Sequence, residues 1–405
     1  MSNTLLTPSV IAKEMMLQFK NSLSFAKNVN KQYDDQFAVK GAKIGSSITI
    51  RKPVRYLVSD GATMTTQDAT EESASLSLSS QKHVGISFTS KELALSIDEF
   101  SDRFIQPAML SLANQVDVDL LTLAANSVYN AVGTPATTPA TLLTYLQARQ
   151  KLTENACPQD NNRSIHINPL ASATIVDALK GLFQSSEQIS NQYEMGKMGK
   201  SIGADWYESQ NVLSHTGGQL GGTPLVNGVP ASGATTLVTD GWTAAAANRV
   251  KAGDIFTIAG VYSVNPITKV STGQLQQFVV TADASSSAGG AATISISPAI
   301  NSTVNSLQNV SAAPADNAAL TFKHTASQVY ANNIMMHKNA FILGCADLQL
   351  PGGVDFAAQA TDKDSGLSLR MVRQYAIATD TFPCRVDILY GTLAARPEWA
   401  CKIIG

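Results

Sequence analysis

Gly199-Lys200-Ser201, near the middle of the 405-residue chain, spells the end of a phosphate-binding loop. A working loop reads G-x-x-x-x-G-K-[ST], because several glycine-supported N–H groups must wrap the phosphates before the lysine reaches them. Glu194 stands where the first glycine belongs, and the preceding Ser185-Ser186-Glu187-Gln188-Ile189-Ser190-Asn191-Gln192 is too polar for the buried strand that feeds such a loop. Nucleotide binding is therefore not expected. The segment reads as a glycine-hinged surface connection.

The five histidines, His83, His166, His215, His324 and His337, share no metal-ligand spacing. Ser214-His215 precedes Thr-Gly-Gly but lacks a surrounding G-x-S-x-G, so His215 is expected to be a solvent-facing loop residue. Asp34-Asp35 and Glu71-Glu72 lie in polar surroundings, where carboxylates stay solvated instead of being tuned for catalysis. Asp117 and Asp119 are two apart on a helix and point in different directions. No catalytic residue, cofactor or metal is expected.

One basic cluster stands out: Lys40, Lys43, Arg51, Lys52 and Arg55, with Tyr56 beside it. A net charge of -2 leaves no bulk basic excess for a dedicated nucleic-acid binder. The cluster reads instead as charged contacts from an extended arm to an acidic edge on a neighbour. With Glu71 and Glu72, these residues are the candidates for contacts between subunits.

Charged residues make up only 15% of the chain, against roughly 25% in typical soluble domains, and polar uncharged types replace them. Much of the surface is thus expected to lie against other protein. Cys157, Cys345, Cys384 and Cys401 are far apart, and packed, reduced thiols are expected. There is no basic-then-apolar leader at Met1–Thr7 and no run long enough to span a membrane.

The elements that would position these residues follow from periodicity. Thr7-Pro8 is an N-cap and first-turn proline, and Ala12, Met16, Phe19, Leu23 and Ala26 recur at helical spacing, predicting an amphipathic helix over 8–28. Residues 44–58 and 74–89 alternate as strands around the polar stretch "SDGATMTTQDATEES", a hairpin that buries little by itself. Ile105, Met109, Leu112, Val116, Leu120 and Leu123 mark a long helix over 103–131, and 139–155 and 169–184 read as helices bracketing the strand "RSIHIN". From 217 to 326 charge nearly vanishes and "DIFTIAGV", "QQFVVTAD", "ATISISP" and "ALTFKHT" alternate, predicting a small β-barrel or sandwich inserted in a larger domain. The end of the chain, 367–404, is strand-like. The class is α+β.

In order, "TPSVIAKEMMLQFKNSLSFAKNVNKQYDDQF", "GSSITIRKPVRY", "SKELALSIDEFSDRFIQPAMLSLANQVDVDLL", "GKSIGADWYESQNVLSHTGG", "AGDIFTIAGVYSVNP", "NIMMHKNAF" and "RVDILYGTLAARPE" resemble the major capsid (coat) proteins of short-tailed phages related to the Salmonella phage whose coat carries an inserted domain. The resemblance implies a Hong Kong 97-type capsid fold: an N-terminal arm at 1–40 and an extended loop at 41–90. A spine helix and peripheral domain, with the start of the axial domain, would occupy 91–216, an inserted β-barrel 217–326, and the rest of the axial and peripheral domains 327–405. It implies hexamers and pentamers of the chain in an icosahedral shell, a scaffolding protein, a portal protein and packaged double-stranded DNA bound without sequence specificity. Assembly in the bacterial cytoplasm, no membrane, and no proteolytic processing or crosslinking go with it. Expansion of the shell would pivot the arm and loop about Gly41, Gly45 and Gly85. A phage tail or surface-attachment protein is the alternative, and would leave the long helix unexplained.

Overall fold

The computed structural model describes residues 8–31, 47–58, 61–62, 64, 66, 71–89, 106–179, 199–244, 248–362 and 366–405. Lys40, Lys43, Gly41, Gly45, Asp34, Asp35 and Glu194 lie outside the described residues. In chain order come α1 (Pro8–Ser22), β1 (Ser47–Arg51), β2 (Ser73–Ser77), β3 (Ser80–Thr89), α2 (Gln106–Ser127), β4 (Ala131–Gly133), α3 (Leu142–Glu154), β5 (Arg163–Ile167) and α4 (Pro169–Leu179). Four short strands and a longer one follow: β6 (Lys200–Ser201), β7 (Ala204–Glu208), β8 (Ser214–Thr216), β9 (Gly222–Val226) and β10 (Ala234–Trp242). Then come β11 (Ile255–Val264), β12 (Ser271–Val280), β13 (Ala292–Ile300), β14 (Leu320–Phe322), β15 (Val329–His337) and β16 (Phe341–Ala346). The chain closes with β17 (Phe356–Asp362), β18 (Leu367–Arg373), β19 (Thr381–Ala394) and β20 (Ala400–Ile404).

Contacts divide the chain into two units. The first comprises Met1–Ile50, Ser73–Leu120 and Phe341–Leu393. Its sheet is antiparallel: β17 pairs with β18, β18 with β19, and β3 lies along β19 in a ten-residue ladder from Thr89–Thr381 to Ser80–Tyr390. Gly85 sits within that ladder opposite Arg385, so a pivot there would have to break strand pairing. Helix α1 buries Ala12, Met15, Met16 and Phe19, a stripe at helical spacing, and packs against β17 and β18. The period alone predicted that the helix continues to 28, yet it ends at Ser22. The cause is a carboxylate on α2: Asp117 accepts the Ser24 N–H at 2.8 Å and the Ala26 N–H at 2.7 Å, drawing the chain into a separate short turn over Ala26–Asn28.

The expected hairpin also divides. Only β2 pairs with β1, whereas β3 departs to β19. Ser77 runs so close to β19 that a Cβ on Gly391 would stand 2.1 Å from its carbonyl, and Leu76 lies over Gly344 in the same way. Glycine at both places lets the strand settle before it turns away.

The second unit comprises Arg51–Glu72, Leu121–Ala340 and Ala394–Gly405. Its larger sheet runs β4-β20-β15-β5-β7-β6, with β8 also on β15, and α3 packs against β20 and β4 through Tyr145, Ala148 and Leu152. Helix α2 stops at Ser127, short of the predicted 131, because the next residues must reach β4 and pair with β20. At 22 residues it is about 33 Å long. The remaining strands form a six-stranded sheet, β14-β11-β12-β13-β10-β9, around a core that includes Val226, Leu237, Phe256, Phe278, Ile294 and Val310. Its two outer strands meet: Val226 N–H donates to Ala318 O at 2.9 Å and Asn317 N–H to Val226 O at 2.8 Å, which nearly closes the barrel and removes its edges.

Asp117 is wholly buried, and burial raises its pKa while the backbone N–H groups of Ala26, Ser24 and Phe25 pull the other way. Asp117→Ala leaves those N–H groups without an acceptor, and about 2–4 kcal/mol of unfolding free energy is expected to be lost in urea denaturation. Asp117→Asn keeps one acceptor oxygen and should lose about half as much.

Candidate assembly surface

Two places bear on how such a chain meets its surroundings: the hairpin, and the seat of the barrel. The hairpin strands β1 and β2 each bury a single side chain, Ile50 and Leu76. Beyond them the charges pair across the ribbon. Arg51 lies 3.4 Å from Glu71 and Lys52 3.7 Å from Glu72, while Lys52 N–H donates to Glu72 O at 2.8 Å. Arg55 reaches Glu398 of the same chain at 3.4 Å. Four of the candidate contact residues thus form a cross-strand ladder, and Arg55 anchors the strand that leaves it. Arg51 and Glu71 remain 77% and 52% exposed, so that pair stabilises the ribbon by at most about 1 kcal/mol. Tyr56, Val58 and Met64 are exposed on the same stretch, an apolar run that one chain leaves uncovered.

Lys200 and Ser201, the residues that suggested a phosphate loop, instead form β6, paired with Asp205 and Ala204 of β7. The turn between them needs left-handed backbone at Ile202 and Gly203, with φ 49° and 75°. Lys200 and Ser201 thus stand on a paired strand and do not open a helix, as the last residues of a phosphate loop would. Among the described residues no group of three His, Cys, Asp or Glu side chains could hold a metal, and no helix is long and apolar enough to cross a membrane. All four cysteines are free and buried. Asp117 and Asp119 diverge as their spacing requires: Asp119 accepts the Tyr390 hydroxyl at 2.5 Å and lies 3.4 Å from Lys82.

The barrel is seated on the sheet of its own unit. Tyr129, Ala131, Tyr330 and Ile404 of that sheet region pack with Ile255 and Val279 of the barrel in one small apolar cluster. At its margin Gln277 of β12 acts as a strand partner. Its amide donates to Ala131 O at 2.9 Å and its carbonyl accepts Ala131 N–H at 2.8 Å, covering the free edge of β4. Nothing in the sequence marked Gln277, since a glutamine in an alternating strand carries no signal of what it will face.

His215 departs from expectation. Its side chain is 11% exposed and donates from Nε2 to Asp254 Oδ1 at 2.7 Å, so it belongs to a buried polar cluster and not to a solvent-facing loop. Asp254, His324 and Lys402 share that cluster, each nearly or wholly buried. Four residues from four distant stretches meet there. Their only sequence signal was a set of charges in otherwise apolar surroundings.

Gln277→Ala strips the Ala131 peptide of both side-chain partners in a buried setting. A loss of about 2–4 kcal/mol in urea denaturation is expected. Gln277→Glu, which can accept the N–H but repels the carbonyl, should cost at least as much.

Comparison with known proteins places this arrangement. The family described as P22 coat protein - gene protein 5 matches residues 2–405. A comparison with curated proteins finds no match. Among solved structures, the chain is similar to one from Mycobacterium phage Che8, at 11% identity over 94% of this chain and 90% of that one, with a TM-score of 0.46. It is similar to the capsid of Ralstonia phage GP4 at 9% identity over 94% and 87%, TM-score 0.46. A CUS-3 coat protein I-domain is 32% identical over 26% of this chain and 97% of its own length, TM-score 0.20. The chain is α+β, with a long helix, a sparsely buried hairpin and a nearly closed six-stranded barrel between β8 and β15. With its family matched from residue 2 to the last, the chain belongs to the P22 coat protein family and is a major capsid protein of the phage shell.

Proposed function

We propose that copies of this chain close into an icosahedral shell of hexamers and pentamers around double-stranded DNA held without sequence-specific contacts. Assembly in the bacterial cytoplasm with a scaffolding protein and a portal protein completes the reading, and no catalytic step is assigned to the chain. The match of the coat family across residues 2–405 carries it.

The composition supports the same picture. A shell needs many contacts that are individually weak enough to be corrected and collectively stable, which favours polar uncharged surface over one large apolar patch. Only 15% of the residues are charged. The hairpin is the element least able to stand alone, because a two-stranded ribbon with one buried residue per strand is marginal in water. Neighbouring copies would cover Tyr56, Val58 and Met64 and meet its charges. Lys40, Lys43, Arg51, Lys52, Arg55, Glu71 and Glu72 are the proposed contact residues.

The ladder allows a test that separates roles. Exchanging its signs with Arg51→Glu, Lys52→Glu, Glu71→Arg and Glu72→Lys keeps both cross-strand pairs within the chain but reverses what a neighbour meets. Shell yield by electron microscopy and sedimentation should fall about tenfold or more, with the unfolding midpoint of the free chain unchanged. Normal yield of closed shells would overturn the contact role. Rods or discrete trimers from the unaltered chain, in place of closed shells, would overturn the shell reading itself.

A further inference from the structure

Both stretches of chain that join the inserted barrel to its unit are fastened to one buried carboxylate. Asp254, 0% exposed, stands at the entrance to β11. Its Oδ1 accepts His215 Nε2–H at 2.7 Å and lies 3.1 Å from His324 Nε2. Its Oδ2 accepts the N–H groups of Gly218 at 3.1 Å and Lys251 at 2.8 Å. His215 and Gly218 belong to the incoming connector and His324 to the outgoing one. From β20, Lys402 donates to the neighbouring carbonyl of Gly253 at 3.1 Å. The packing leaves no slack: a Cβ on Gly217 would stand 2.3 Å from the His324 ring, and one on Gly218 2.3 Å from Arg249 O.

The surroundings of His324 specify its protonation. Nε2 faces the Asp254 carboxylate and Nδ1 lies 2.9 Å from Thr325 O, so both ring nitrogens face oxygens that can only accept. A neutral imidazole has one N–H and no charge; the imidazolium gives the Thr325 carbonyl its donor and also sets a positive charge 3.1 Å from the Asp254 carboxylate, an ion pair without an aligned hydrogen bond. We propose that protonated His324 is the pin of a latch that holds both connectors of the inserted barrel to Asp254, and that releasing its proton loosens them. The inference does not depend on the shell reading.

The other groups around Asp254 are His215 from β8, Lys402 from β20 and Tyr330 from β15, whose ring packs edge-on to His215 with centroids 5.3 Å apart. The Arg249 guanidinium turns away, to Leu220 O and Ser286 Oγ. Burial alone would push Asp254 up, but the hydrogen bonds from the histidines and the Lys251 N–H hold it well below the usual carboxylate range, so it stays ionised. Burial opposes a charge on His324, yet Asp254 and the Thr325 carbonyl outweigh it and raise its pKa. Burial raises the Tyr330 hydroxyl, and the Asp254 charge adds to it, so that group stays neutral.

A raised histidine pKa gives stabilisation that is complete below its ordinary value of about 6.5 and is lost as pH rises through the folded value. Lys402 acts in the opposite sense. Burial lowers it to about 7, so between there and its ordinary value of about 10.4, rising pH relieves the cost of a buried charge and favours the closed state. The two cations offset one another in the native chain, and a difference between two proteins is needed to see either.

Hydrogen exchange of the full-length chain, corrected for intrinsic rates, makes that comparison between wild type and His324→Gln at pH 6.0 and 8.5. Lys402 titrates in both and cancels. In residues 214–221 and 323–328 the variant should exchange about tenfold faster than wild type at pH 6.0 and nearly equally at pH 8.5, with the core of β12 protected throughout. A gap of the same size at both pH values, or none at either, overturns the latch. Should the variant not fold, the wild-type His324 imidazole resonances decide: a titration midpoint above 6.5 supports the pin, and one below it overturns the proposal.

Discussion

Wherever two structural modules of one chain are joined side by side, backbone groups and charges are taken from water and must be met by partners, and this requirement governs the inserted barrel. A barrel with closed edges has no spare strand with which to pair onto a neighbouring sheet. Its attachment therefore rests on side chains. Gln277 reproduces a strand's donor and acceptor for Ala131, and Asp254 accepts from His215 and Gly218 of the incoming connector and from the nearby Lys251 N–H, and lies 3.1 Å from His324 of the outgoing one. The apolar cluster of Tyr129, Ala131, Ile255, Val279, Tyr330 and Ile404 includes the partner of Gln277 and the residue that follows Asp254. In such a setting a missing partner costs more than the bond itself contributes, so the attachment holds in one geometry.

Carboxylates play the same part elsewhere. Asp117 ends α1 by accepting two backbone N–H groups, and the wholly buried Asp387 gathers Arg370 at 2.6 Å, Arg385 at 3.0 Å and Gln81 at 3.0 Å from three strands. Each joins segments far apart in the chain. A protein with few charges has placed several of them where backbone must be bound at a distance, and left the rest of its surface polar and nearly neutral. That division suits a subunit whose outer contacts must be numerous and weak while its own joints are firm.

The hairpin shows the converse. Its ladder of Arg51, Lys52, Glu71 and Glu72 is exposed, so its pairs add little within one chain, and its buried area is confined to Ile50 and Leu76. The element is under-supported within one chain, as a two-stranded ribbon with one buried side chain per strand must be.

The amino-acid sequence by itself determined what repeats locally. Helical spacing in α1 and α2, alternation in the barrel strands, the polar hairpin and the failed phosphate motif at Gly199-Lys200-Ser201 were all legible, because periods of 3.6 and 2 and a motif's required residues can be read within a few turns of chain. Tertiary structure alone decided where α1 ends, that β3 leaves β2 for β19, and that His215 turns inward onto Asp254. The reason is distance along the chain. Asp117 meets Ala26 across 91 residues, Gln277 meets Ala131 across 146, and Lys402 meets Gly253 across 149. Such encounters depend on how whole elements stack, and a single carboxylate or amide carries no local mark of the backbone it will bind.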